Sequence, residues 1–94
     1  MAVAVEANFP GATLAQYDEA IEVMGLEPAG RHPGALFHWV AKTDSGVRVI
    51  DVWERKEDFE RFAEEQVLPV SAQVGLPEPE IRYTDVHTYM VGGQ

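Results

Sequence analysis

The chain contains no cysteine. Disulfides, thiolate nucleophiles and cysteine-based zinc sites are therefore excluded. Positive charge is scarce as well: 7 Lys and Arg face 16 Asp and Glu, a formal net charge of −9. A surface of that sign repels phosphate backbones and anionic lipid, which argues against nucleic acid or a membrane as partner. No apolar run approaches the roughly 20 residues that span a bilayer. His-x-x-x-His spacing and a glycine-rich phosphate loop are missing, so neither a metal nor a nucleotide is expected. The opening run, residues 1–6, is short and acidic, unlike a secretory leader, and cytoplasmic placement is the expectation.

What is present suffices for a folded core. Hydrophobic residues make up 46% of 94 positions, the size of one domain, taken here as 1–94. A domain this small buries a modest share of its surface, so further burial by self-association is expected. Residues 2–9 read as a first strand, stopped by Pro10-Gly11. Thr13 and Gln16 form a capping-box pair opening a helix, with Leu14, Tyr17, Ile21 and Met24 as its apolar stripe and Gly25 at its end. A Pro/Gly-rich loop follows over 26–34. Residues 35–43 and 47–53 read as a hairpin around Asp44-Ser45-Gly46. A second helix starts near Lys56 and should kink or restart at Pro69, which has no N–H to donate. A fourth strand is expected over 81–90, then a loose tail over 91–94.

The order β-α-β-β-α-β is the ferredoxin-like α+β arrangement: a four-stranded antiparallel sheet with two helices on one face. The other face would then be apolar and uncovered, carrying Val3, Val5, Ala7, Phe37, Trp39, Ala41, Ile50, Val52, Val86 and Met90. Such a patch marks an interface. A two-fold homodimer with sheets face to face is the economical solution.

Three features carry a resemblance to a known family. Asn8 ends the first strand just before a Pro-Gly turn and helix. The segment Val52-Trp53-Glu54-Arg55-Lys56-Glu57-Asp58-Phe59 forms a strand-to-helix junction. The element order completes the pattern. Together they resemble the dimeric α/β-barrel superfamily, which includes antibiotic-biosynthesis monooxygenases, heme-degrading monooxygenases and some aromatic polyketide cyclases. The resemblance implies a substrate pocket between each sheet and its own helices, with the barrel interior as dimer core. It also implies, for heme degraders, an asparagine, a tryptophan and an iron-ligating histidine. Asn8 matches the first, but Phe62 and Ala72 fall where the others would be, so heme lacks its axial ligand. No cofactor is expected.

The polar residues on the strands can be read directly. An imidazole and a carboxylate on neighbouring strands cost free energy unless exposed or partnered. With a two-residue loop at Asp44-Ser45, His38 lies opposite Asp51. With Gly46 in a bulge, it turns to the other face. In the first geometry Asp51 orients His38 as general base, and Asn8 would donate to a developing enolate or phenolate oxygen. Trp53, Phe62 and Tyr17 would wall a flat apolar ligand. Each has a plainer role: His38 as a hydrogen-bonded structural residue, Asp51 as partner of Arg48 or Arg82, Trp53 as core, Asn8 as turn support. His32, in a loop, has no ligand spacing with any partner. Two readings follow. One is a small cofactor-independent enzyme, monooxygenase-like or cyclase/isomerase-like, acting on an aromatic or polyketide-like molecule. The other is a non-catalytic dimeric small-molecule-binding or accessory protein.

Overall fold

The computed structural model describes residues 2–26 and 34–90. Most of the 26–34 loop, His32 and the 91–94 tail lie outside the described residues. The elements are β1 (Val3–Pro10), α1 (Leu14–Val23), β2 (Phe37–Thr43), β3 (Gly46–Trp53), α2 (Lys56–Phe62), a π-helical turn (Ala63–Val67), α3 (Leu68–Val74) and β4 (Glu80–Asp85). The sheet is antiparallel in the order β2-β3-β1-β4, the ferredoxin-like arrangement.

Local chemistry accounts for most boundaries. Thr13 caps α1 reciprocally with Gln16: the Gln16 amide donates to Thr13 Oγ1, and the Thr13 amide donates to Gln16 Oε1 at 2.9 Å. The helix ends at Met24, followed by Gly25 at φ 76°, a left-handed position suited to glycine. Pro69 sits in the first turn of α3. Its ring would collide with the Glu65 carbonyl of a regular helix, and the wider π turn just ahead relieves that conflict.

The hairpin loop has two residues, because Thr43 pairs with Gly46. His38 is thereby the direct partner of Asp51. Gly46 allows no side chain: a Cβ there would lie 2.1 Å from the Phe9 carbonyl oxygen. The end of β1 and the hairpin thus meet backbone to backbone, tied by Gly11 N–H to Ser45 O at 2.7 Å.

Two expectations need correction. Val3, Val5 and Ala7 do not face outward. They are buried beneath the helices, Val3 and Val5 with Trp53 and Phe59, Ala7 with Phe9, Val47 and Val49. The alternation of β1 decides this: its other face presents Glu6 and Asn8, and the more apolar row takes the core. Phe37, Trp39, Ile50 and Val52 do share the outer face, as pairing partners. The second correction concerns β4, which ends at Asp85 rather than 90. Its neighbour β1 runs out there: Asp85 pairs with Val3, and Val86 N–H reaches Ala2 O as a last rung. Val86 and Met90 therefore do not extend the sheet, and Met90 is 91% exposed.

Gly46→Ala is expected to cost at least about 2 kcal/mol of stability through backbone displacement. Gly25→Ala meets nothing within 4 Å, so it should cost only about 1 kcal/mol for its positive φ. Urea denaturation of both variants measures the contrast.

Candidate active site

Antiparallel partners share a face, so the β2–β3 register sends His38 and Asp51 together under the helices. Asp51 is 6% exposed, a carboxylate in the core. It is stabilised by two donors. His38 Nδ1 bonds to Oδ1, and Trp53 Nε1–H, two residues along the same strand, donates to Oδ2 at 3.3 Å. An ionised carboxylate only accepts, so the hydrogen between them belongs to His38 Nδ1. In the neutral ring Nε2 is then a lone pair. It accepts from the Tyr17 hydroxyl at 2.7 Å, from α1. The four residues form one hydrogen-bonded row, Tyr17–His38–Asp51–Trp53, crossing from helix to sheet.

Burial, and then the charges of Asp51 and Asp18, push the Tyr17 hydroxyl up to about 12. The phenol therefore stays protonated at neutral pH and serves as donor. Trp53 is held by Phe59 and Phe62, with ring centroids at 5.9 and 5.5 Å. It stands behind Asp51 and is 3% exposed. Trp53 therefore anchors the carboxylate rather than walling a ligand space.

That space is a chamber of about 80 Å³ between the sheet, α1, the π turn and α3. Phe9, Val47, Val49, Ile21 and Phe62 supply much of its wall, and its polar side chains are Tyr17, His38, Asp51 and Ser71. A cavity of roughly 150 Å³ takes up benzene, so a ring enters this one only as its walls give. The π turn contributes Ala63 and Val67 to the wall. A π turn has looser packing than a regular helix and recurs beside functional pockets.

Asn8 does not reach this chamber. It lies on the outer face, where it donates to Glu6 Oε2 at 2.8 Å and accepts from Arg48 Nε at 2.9 Å. Parity separates it from His38 and Asp51: Asn8 pairs with Arg48, and Ala7, its neighbour, pairs with Val49 on the core side. Arg48, named from sequence as an alternative partner of Asp51, is thus engaged across the sheet. Of the six residues singled out, the structure gathers His38, Asp51, Tyr17 and Phe62 on one chamber, with Trp53 behind them. Sequence reasoning treated Tyr17 as a wall and missed its hydroxyl bond, and it passed over Ser71. A tyrosine on the helical stripe facing a strand histidine was the available signal for the first.

The fold recurs among solved structures. SnoaB, a cofactor-independent oxygenase from Streptomyces nogalater, matches over 95% of both chains with a TM-score of 0.59 at 19% identity. A candidate antibiotic biosynthesis monooxygenase from Chloroflexus aurantiacus matches over 98% of this chain and 100% of that one, with a TM-score of 0.62 at 21% identity. A second such protein, from Deinococcus radiodurans, matches over 100% of both chains with a TM-score of 0.56 at 10% identity. These neighbours carry the fold of the antibiotic-biosynthesis monooxygenase type that the sequence resembles. No protein-family model and no curated protein matches the sequence.

The raised Tyr17 value has a stability consequence. An unfolded tyrosine ionises near 10 and Tyr17 in the fold near 12. The stability carried by the neutral phenol is therefore full below pH 10 and is lost as pH rises from 10 to about 12. Absorbance titration of tyrosinate should show this late-ionising group in the wild type and its loss in Tyr17→Phe.

Proposed function

We propose that the chain is a small oxygenase-like enzyme that removes a proton from a phenolic or enolic substrate in the chamber. The observation that carries this is the row Tyr17–His38–Asp51, which opens a base onto an apolar space. A histidine oriented by a carboxylate and placed in a cavity has the geometry of a general base. Structural support alone would not require the base to face a chamber.

The proton moves in two linked steps. Tyr17 covers His38 Nε2, so the substrate hydroxyl or acidic C–H meets the phenol oxygen. Tyr17 receives that proton as its own passes to Nε2. The phenol begins and ends neutral, which its raised pKa favours. The imidazolium so formed faces Asp51, and the substrate is left as an enolate or phenolate. An electron-rich anion of that kind can react with O₂ without a bound cofactor, or can close a ring or isomerise. SnoaB, the structural neighbour described as a cofactor-independent oxygenase, favours the first route. An aromatic or polyketide-like substrate fits the apolar wall, entering as Tyr17 and the π turn yield.

The reading also pairs two copies of the chain. On the outer face Phe37 and Trp39 remain 46% and 40% exposed. Packing two such faces together would remove both rings from water.

Two measurements bear on these statements. Deuterium uptake into the methylene of 1-phenylbutane-1,3-dione, above the solvent rate, should fall by about 10²-fold or more in His38→Ala. An unchanged rate in the folded variant sinks the base role, and an oxygen electrode then reports whether O₂ is consumed. Sedimentation at micromolar concentration should give twice the 10.4 kDa chain mass, with Trp39→Glu returning the single-chain value. A wild type sedimenting as one chain refutes the pairing.

A further inference from the structure

The base on the chamber wall already holds a proton donor. In the neutral ring of His38 the lone pair on Nε2 accepts from the Tyr17 hydroxyl at 2.7 Å. The first proton within its reach is therefore the protein's own. That bond uses the phenol hydrogen and leaves the oxygen lone pairs for an electrophile. A hydroxyl within hydrogen-bond reach of a base, with the base oriented by a third group, is the arrangement of an activated nucleophile. The row meets each condition: Nδ1 of the same imidazole bonds to Asp51 Oδ1, and Tyr17, His38 and Asp51 line one chamber. Burial pushes the Tyr17 hydroxyl up to about 12, so the phenol attacks only as the imidazole takes its proton. Size selects the electrophile. A water-sized group needs roughly 10–15 Å³ of such space, so the chamber of about 80 Å³ holds a short acyl chain without any movement of its walls.

We propose that Tyr17 is an acyl acceptor, and that the chamber has a second activity, the cleavage of short-chain carboxylic esters and thioesters through an acyl-tyrosine. This goes beyond proton abstraction: it uses the same three side chains but needs no enolisable substrate. The Tyr17 oxygen bonds to the acyl carbon as its proton passes to His38 Nε2. The C–O or C–S bond then breaks, and Nε2 returns the proton to the departing alcohol or thiol. Water, losing a proton to Nε2, next attacks the acyl carbon. The Tyr17 oxygen leaves with that proton, and a carboxylic acid is released. The wall is largely apolar and offers little to a tetrahedral oxyanion. Substrates are therefore confined to esters and thioesters whose leaving group is a weaker base than the Tyr17 phenolate, and amides are excluded.

The probe is 4-nitrophenyl acetate. Wild-type protein should release a burst of 4-nitrophenol approaching one per chain, because the acyl-tyrosine has the more basic leaving group and breaks down more slowly than it forms. Peptide mapping after an acid quench should find the acetyl group on Tyr17. Tyr17→Phe, which keeps the ring, should lose the burst and slow cleavage by about 10²-fold, as should His38→Ala. The octanoate ester, too long for the chamber, should react about tenfold more slowly than the acetate. An acetyl group on His38, a lysine or the N-terminal amine, with Tyr17 unlabelled, overturns the proposal, and the wild-type map alone decides this whatever the folding of the variants. A folded Tyr17→Phe protein that cleaves the ester at the wild-type rate overturns it too, as does octanoate reacting equally well. Deuterium uptake that depends on His38 without acetylation of Tyr17 removes this activity and leaves proton abstraction standing.

Discussion

A carboxylate buried in the core of a 94-residue domain governs the arrangement of the site. Taking Asp51 out of water is unfavourable unless donors replace the lost hydration. The fold supplies two, each by a different device. Trp53 is two residues along the same strand, so strand alternation alone puts its indole on the same face. His38 comes from the neighbouring strand, and only the register of the hairpin delivers it. That register depends on a two-residue loop. The loop in turn depends on Gly46, where β1 and the hairpin approach too closely for a side chain. A backbone contact at the end of the sheet thus accompanies the register that brings His38 opposite Asp51.

The consequences continue outward from His38. With Nδ1–H directed at Asp51, Nε2 is presented to α1, and Tyr17 is placed to cover it. Burial keeps the phenol protonated, so the helix and the sheet are joined by a bond in which both partners can exchange a proton. The remaining wall is apolar, which lowers local screening and strengthens each of these interactions. The chain separates its two sheet faces by chemistry: the inner one holds the buried polar row, the outer one Glu6, Asn8 and Arg48 in mutual contact beside exposed aromatics.

Much of this was legible in the sequence because it is local. The capping box at Thr13, the stop at Pro10-Gly11, the hairpin and the interruption of the second helix by Pro69 are short-range effects, and the structure has them where the residues indicated. The ferredoxin-like order followed from the element sequence. The facing of His38 and Asp51 was legible only as one of two registers, since choosing between them requires the contact of Gly46 with Phe9, distant in sequence. Asn8 was misplaced for a related reason. Its strand has apolar residues on both faces, at Ala4 and Val5, and only the packing of the helices onto the sheet shows that the row Val3, Val5 and Ala7 is the buried one. The end of β4 depends on where its neighbour stops, which no property of residues 86–90 reveals. Ser71 and the Tyr17 hydroxyl are tertiary facts, invisible to helical periodicity.

The account stands or falls on the state of one imidazole. Nitrogen-15 NMR of the histidines, followed to the neutral form at the alkaline end of the titration, reads that state directly. The account requires His38 to carry its hydrogen on Nδ1, with Nε2 showing the shift of an unprotonated nitrogen, and requires that preference to disappear in Asp51→Asn. A neutral His38 protonated on Nε2, or one whose tautomer ignores residue 51, would contradict it.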